Sequence, residues 1–127
     1  MKLDRECVRD LMLAIEDMKF GEELTLYKLD SERLQSYDRE TIIYTADKLI
    51  EANYIKGELS MIVDEVHNIH LEALTWDGHH FLDNIRDDGV WKKTKNVTSK
   101  FSSISIPLLS SVASSVISKM ISNELGL

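Results

Sequence analysis

Between residues 54 and 74 the chain reads YIKGELSMIVDEVHNIHLEAL, two β-like runs at 54–63 and 66–74 around Asp64-Glu65. Two such runs joined by a polar pair fold back as an antiparallel hairpin. A lone hairpin is at best marginally stable in water, so other elements must cover one of its faces. Helical periodicity supplies them on both sides. In residues 3–20, Cys7, Val8, Leu11, Ala14, Ile15 and Met18 fall at the three-and-four spacing of one helix face, and Gly21 ends the run. Over residues 39–53, Ile42, Ile43, Ala46, Leu49 and Ile50 repeat the pattern behind a capping Asp38.

Between these helices, LTLYKL at 24–29 suits a short strand or an extended link, and Asp30 or Ser31 can cap one helical turn near Leu34. The order is helix, short strand, short helix, helix, hairpin, helix. It predicts an α+β fold, a winged helix-turn-helix-like domain with a β-hairpin wing. Thr75 can cap a closing helix from Trp76 to about residue 87, with Phe81, Leu82 and Ile85 as its apolar face. Gly78 in its first turn costs about 0.5–1 kcal/mol against alanine, which implies close packing by a neighbouring element.

The run LTWDGHHFLDNIRD from Leu74 to Asp87, followed by Val90-Trp91, resembles the signature of a domain-of-unknown-function family of small bacterial and prophage proteins. The charged start of the chain and TADKLIEANYIKG, residues 45–57, are similar to it as well. The resemblance covers roughly residues 1–100. Two positions depart from it: Thr45 stands near where the family often has histidine, and Asn53-Tyr54 replaces a usual Gly-Leu. The resemblance implies a winged-helix-like fold and a phage context, and it implies no activity.

Charge limits the partners. The chain has 22 acids and 15 bases, a net of −7, divided between an acidic residues 1–90 and a basic residues 91–127 that hold five lysines and one acid. Most of the surface therefore repels a phosphate backbone, and contact with double-stranded DNA would have to be local or made by a dimer. In the usual docking the second helix of the unit enters the major groove, presenting Arg39, Thr41, Tyr44, Thr45 and Lys48. Lys56 on the wing and Lys92, Lys93 and Lys95 beyond it add positive charge. Against this, residues 38–54 hold four acids and two bases, and such mixtures are ordinary on exposed helices.

No catalytic residue, cofactor or metal is expected. The chain lacks a glycine-rich phosphate loop, a Gly-x-Ser-x-Gly elbow and a nucleophile with an evident base. His67 and His70, an odd number apart on a strand, point to opposite faces, and the adjacent His79 and His80 diverge by about 100° on a helix. His79 is expected to hydrogen-bond a wing carbonyl. One cysteine, Cys7, excludes an intrachain disulfide, and charges in the first helix exclude a signal sequence, so a cytoplasmic protein is expected.

The sequence divides into a domain at 1–90, a basic neck at 91–104 and an amphipathic C-terminal helix at 105–127. That helix pairs apolar residues every four positions and interleaves serines, which makes it too polar to span a membrane. Its stripe needs a cover: its own domain, a partner or membrane surface, or a second copy. Homodimerisation through Leu109, Val112, Val116, Ile117, Met120 and Ile121 is the expected use. The first reading is a non-enzymatic, phage-type nucleic-acid-binding or regulatory module; the alternative is an acidic interaction module that blocks or recruits a host nucleic-acid enzyme, a host protein being its partner; a metal hydrolase is kept third, on the histidines alone.

Overall fold

The computed structural model describes residues 1–29 and 31–127, so Asp30, one of the two expected caps of the short helical turn, lies outside the described residues. The chain forms two compact units, residues 1–79 and 80–127. Within the described residues it is an α+β structure of helices with one two-stranded antiparallel hairpin and a long C-terminal helix.

In the first unit, α1 (Arg5–Glu16) starts where the Asp4 carboxylate accepts the Cys7 N–H at 3.0 Å. Its buried face holds Cys7, Val8, Leu11, Met12 and Ile15. Beyond Gly21, whose φ of 88° suits only a residue without a side chain, Leu24 exchanges two backbone hydrogen bonds with Leu71, at 2.9 and 3.0 Å. The 24–29 segment thus makes one strand-like bridge, and the Leu26 N–H donates to the Asn68 side chain at 2.9 Å, so it is an extended link rather than a paired strand. A 3₁₀ turn, Glu32–Leu34, is capped by Ser31. Helix α2 (Arg39–Glu51) is capped by Asp38, which accepts the Thr41 N–H at 2.7 Å.

Asn53 takes a positive φ of 63° and turns the chain from α2 into the hairpin. Strands β1 (Ile55–Ile62) and β2 (Glu65–Leu74) pair with register shifts at Lys56/Gly57 and Ser60/Met61. Their turn is Val63-Asp64, both at positive φ, one residue earlier than Asp64-Glu65, because Glu65 already pairs with Ile62. Helices α1 and α2 pack on each other and on the hairpin, and Ile42, Ala46, Leu49, Ile55, Ile69 and Leu71 close the core. Each such side chain contributes roughly 1.5–3 kcal/mol on burial.

Helix α3 (Trp76–Ile85) begins in the first unit. The Thr75 hydroxyl accepts the Gly78 N–H at 3.0 Å and donates to the Asn53 carbonyl at 2.6 Å, tying the helix start to the end of the α2 turn. Phe81, Leu82 and Ile85 are buried, as their spacing predicts, while Trp76 is 87% exposed.

The second unit contains α4 (Asp88–Thr98) and α5 (Ile106–Glu124), which pack together. The lysines of the 91–104 segment therefore begin on a regular helix. Val90, Trp91, Thr94 and Thr98 form the buried side of α4, and the Thr94 and Thr98 hydroxyls donate to the carbonyls of Val90 and Thr94 at 2.7 and 2.9 Å. Two threonines can thus sit on an apolar face without an unpaired donor. Ser105 caps α5 and Pro107 lies in its first turn. Leu109, expected at a dimer surface, is 1% exposed and belongs to the interior of this unit with Ala113. Among the described residues no helix is long and apolar enough to cross a membrane.

Candidate functional site

Helix α2 and the hairpin hold most of the residues expected to touch DNA, and the structure gives several of them internal work. The Arg39 guanidinium reaches the hairpin and donates to the carbonyls of Val66 and His67, both at 3.3 Å. Those carbonyls flank the register shift beyond Ser60, where His67 has no partner residue on β1. Arg39 therefore supplies donors where the ladder is interrupted.

Thr45 is corrected by the structure: it is 0% exposed and cannot reach a ligand on the α2 surface. Its hydroxyl donates to the Thr41 carbonyl at 2.7 Å. Thr41 and Tyr44 are half-buried, and the Tyr44 hydroxyl donates to the Met1 carbonyl at 3.1 Å. Lys48 pairs with Glu51 at 2.9 Å and lies 5.6 Å from the centre of the Tyr44 ring. That carboxylate raises the lysine's proton affinity and offsets its charge. On the hairpin, Lys56 is within 3.4 Å of Glu72.

On α4, in the second unit, Lys92 and Lys93 are exposed and Lys95 lies 5.6 Å from the centre of the Trp91 ring. These three lysines share no unit with α2. The hairpin tip is apolar as well as acidic, with Met61, Ile62 and Val63 exposed beside Asp64 and Glu65.

The histidines do not gather. His79 and His80 are exposed on α3, so His79 stands in solvent rather than against a hairpin carbonyl. His67 is exposed and meets the Tyr27 ring edge-on at 6.4 Å. No group of three or more metal-binding side chains occurs among the described residues.

His70 has a different setting, which sequence reading missed. Its Nδ1 lies 2.5 Å from Glu23 Oε1 and its Nε2 lies 2.7 Å from Ser60 Oγ. The three residues come from the segment before Leu24, from β1 and from β2, and the Leu24 bridge holds the first of these beside β2. The only sequence signal for the row is polar residues at alternating positions, Glu58, Ser60, His70 and Glu72, on the strand face opposite the core. Glu23 also walls a cleft of about 630 Å³ within the first unit, lined by Ile15, Met18 and Leu74 and by the charged Glu16, Lys19 and Glu72, which His70 and Ser60 do not line.

The family described as hypothetical protein DUF2513 matches residues 2–105. An uncharacterized protein of Haemophilus influenzae is 30% identical over 122 residues, covering 95% of this chain and 99% of that one. No solved structure matches the chain. Neither of the two descriptions names an activity, a nucleic acid or a phage.

Proposed function

We propose, from the premise that the chain belongs to the DUF2513 family, that its first unit is a winged-helix-like module whose α2 and hairpin tip dock on a protein. The order of α1, the Leu24 bridge, the 3₁₀ turn, α2 and the hairpin supports the winged-helix part of this reading. The choice of a protein over duplex DNA is carried by one observation, that the bases of the α2 face are already engaged. Arg39 is bonded to hairpin carbonyls and Lys48 to Glu51.

A helix that enters the major groove needs cations free for phosphate and guanine. Here the remaining charges along α2 include Glu40 and Asp47, which oppose approach to a phosphate backbone. Exposed Met61, Ile62 and Val63 give the hairpin tip an apolar end, rimmed by Asp64 and Glu65, that suits a partner with basic residues around an apolar depression. An acidic module of this kind could occupy the nucleic-acid site of a host enzyme, which is a basic surface by necessity. Pairing of two copies through the exposed half of α5 belongs to the same reading.

Nucleic-acid binding is the second reading, favoured by the helix-turn-helix order and by Lys92, Lys93 and Lys95 on α4. Fluorescence anisotropy with random duplex DNA at low and moderate salt separates the two. Protein docking predicts little salt-sensitive binding and no effect of Lys48→Ala. Binding that falls steeply with salt and is weakened by Lys48→Ala would replace the protein reading with the DNA one.

A further inference from the structure

The row Glu23, His70, Ser60 has the polarity of a nucleophile relay. In the tautomer with its proton on Nδ1, donated to the Glu23 carboxylate, the Nε2 lone pair faces Ser60 Oγ at 2.7 Å. This is the assignment a serine nucleophile requires: base nitrogen toward the hydroxyl, acid toward the other nitrogen. The reverse arrangement, with the hydroxyl at Nδ1, would make a polar clip of equal strength, so the orientation of the ring is informative.

The support is rigid. Ser60 and His70 stand on paired strands, and Leu24, next to Glu23, is held to β2 by two backbone hydrogen bonds. The row is also reachable, since the His70 and Glu23 side chains are 33% and 42% exposed and Ser60 is half-buried. Glu23 is the one member of the row that also walls the cleft of about 630 Å³.

We propose that Ser60 is an acyl-accepting nucleophile toward carboxylic esters, with His70 as general base and Glu23 as the residue that positions His70. Ser60 Oγ adds to the ester carbonyl carbon while its proton passes to His70 Nε2. The bond from carbon to the alcohol oxygen breaks, and the departing oxygen takes that proton. Water then gives a proton to Nε2 and adds to the acyl-serine carbonyl. The bond to Ser60 Oγ breaks, Oγ recovers the proton and the carboxylic acid leaves. The sum is ester plus water to acid plus alcohol, with no other reactant. The proposal is independent of the docking reading, which uses α2 and the hairpin tip.

The test treats the full chain with diisopropyl fluorophosphate, maps the adduct by peptide mass and follows p-nitrophenyl acetate hydrolysis in parallel. The expected result is one adduct, on Ser60, with fluoride released. Ser60→Ala should lose the adduct and the hydrolysis above that of other side chains. His70→Asn should slow labelling by about 10²-fold or more, the range of general-base assistance. Glu23→Gln, which keeps a hydrogen-bonding side chain without the charge, should slow labelling by roughly tenfold with thermal unfolding unchanged. A structural clip would instead show altered unfolding and no Ser60 adduct. The proposal is overturned by the absence of that adduct in the wild type, or by equal labelling in Glu23→Gln and His70→Asn. If His70→Asn does not fold, Ser60→Ala and Glu23→Gln decide.

Discussion

Gly78 sits against the Tyr54 carbonyl so closely that a Cβ placed on it would lie 2.0 Å from the oxygen. The contact joins the first turn of α3 to the entry of β1, where the Thr75 N–H also donates to that carbonyl at 3.1 Å. Glycine is kept in a helix, at a known cost in propensity, because two backbones meet there.

Gly78→Ala should therefore be severe despite the gain in helix propensity. The atom in the way is backbone, which cannot swing aside as a flexible side chain can, so the helix start or the β1 entry must move. We expect a loss of about 3 kcal/mol or more, a fall in Tm on the order of 10 °C. Gly89→Ala is the comparison, because its Cβ would meet only the Asp87 carboxylate at 3.2 Å. Thermal unfolding of the two variants side by side checks this, and equal stabilities would show that the close approach is not maintained in solution.

The hairpin turn offers a change in the other direction. Val63 and Asp64 have φ of 50° and 63°, the left-handed pair of a two-residue hairpin loop. A β-branched residue there is strained, by about 1–2 kcal/mol relative to residues that tolerate the region. Replacing Val63→Asn together with Asp64→Gly should raise stability by roughly 1–2 kcal/mol, read as a higher Tm. If the exposed valine serves docking, the same variant should be more stable and bind its partner less well. An unchanged or lower Tm would argue against this turn geometry.

High pH should weaken the first unit through a buried thiol and a half-buried phenol. Burial pushes the Cys7 thiol up to about 11 from an ordinary 9.0, and Asp4, Asp10 and Asp38 act in the same direction while Thr45 opposes them. Burial and the Asp10 carboxylate, which accepts the Tyr37 O–H at 2.6 Å, raise the Tyr37 phenol above its usual 10.0. Both groups hold their protons more tightly when folded, so their contribution is complete below the unfolded values and lost as pH rises. Stability should fall from about pH 9 through 11 for Cys7, and from about pH 10 upward for Tyr37. Cys7→Ala and Tyr37→Phe should each flatten the decline of Tm in an alkaline series, and parallel curves for variants and wild type would refute the assignment.

What could be read from the sequence was what periodicity controls. The faces of α1 and α2, the hairpin and Phe81, Leu82 and Ile85 all follow from spacing, although α1 ends at Glu16, short of Met18 and of the expected stop at Gly21. Thr45 was misread because a threonine between Ile42 and Ala46 was counted by its chemistry rather than by its position, which is interior. The helix at Asp88–Thr98 was obscured for a related reason: its buried side contains Thr94 and Thr98, whose hydroxyls bond back to the chain, while its lysines dominate the composition. The Glu23, His70, Ser60 row lay beyond such reading. Its members are separated by 47 and 10 positions, and the strand register that joins them depends on the shift between Ser60 and Met61, which no alternation pattern marks.

The C-terminal helix gives the remaining test, because the structure divides its apolar residues into two groups. Leu109 and Ala113 are buried in the second unit, Val112, Val116 and Ile117 are half-buried, and Met120 and Ile121 are 49% and 54% exposed. A charge at Leu109 should unfold the unit, whereas a charge at Ile121 meets solvent and should leave the fold intact. If two copies pair through the exposed half, light scattering of the wild type should give about twice 14.6 kDa, and Ile121→Asp should give 14.6 kDa with little change in Tm. Val116→Asp, at the border of the two groups, should both dissociate and destabilise, by roughly 1–3 kcal/mol for a charge placed on a half-buried site. A wild-type mass of 14.6 kDa would remove the pairing and leave Met120 and Ile121 for another surface.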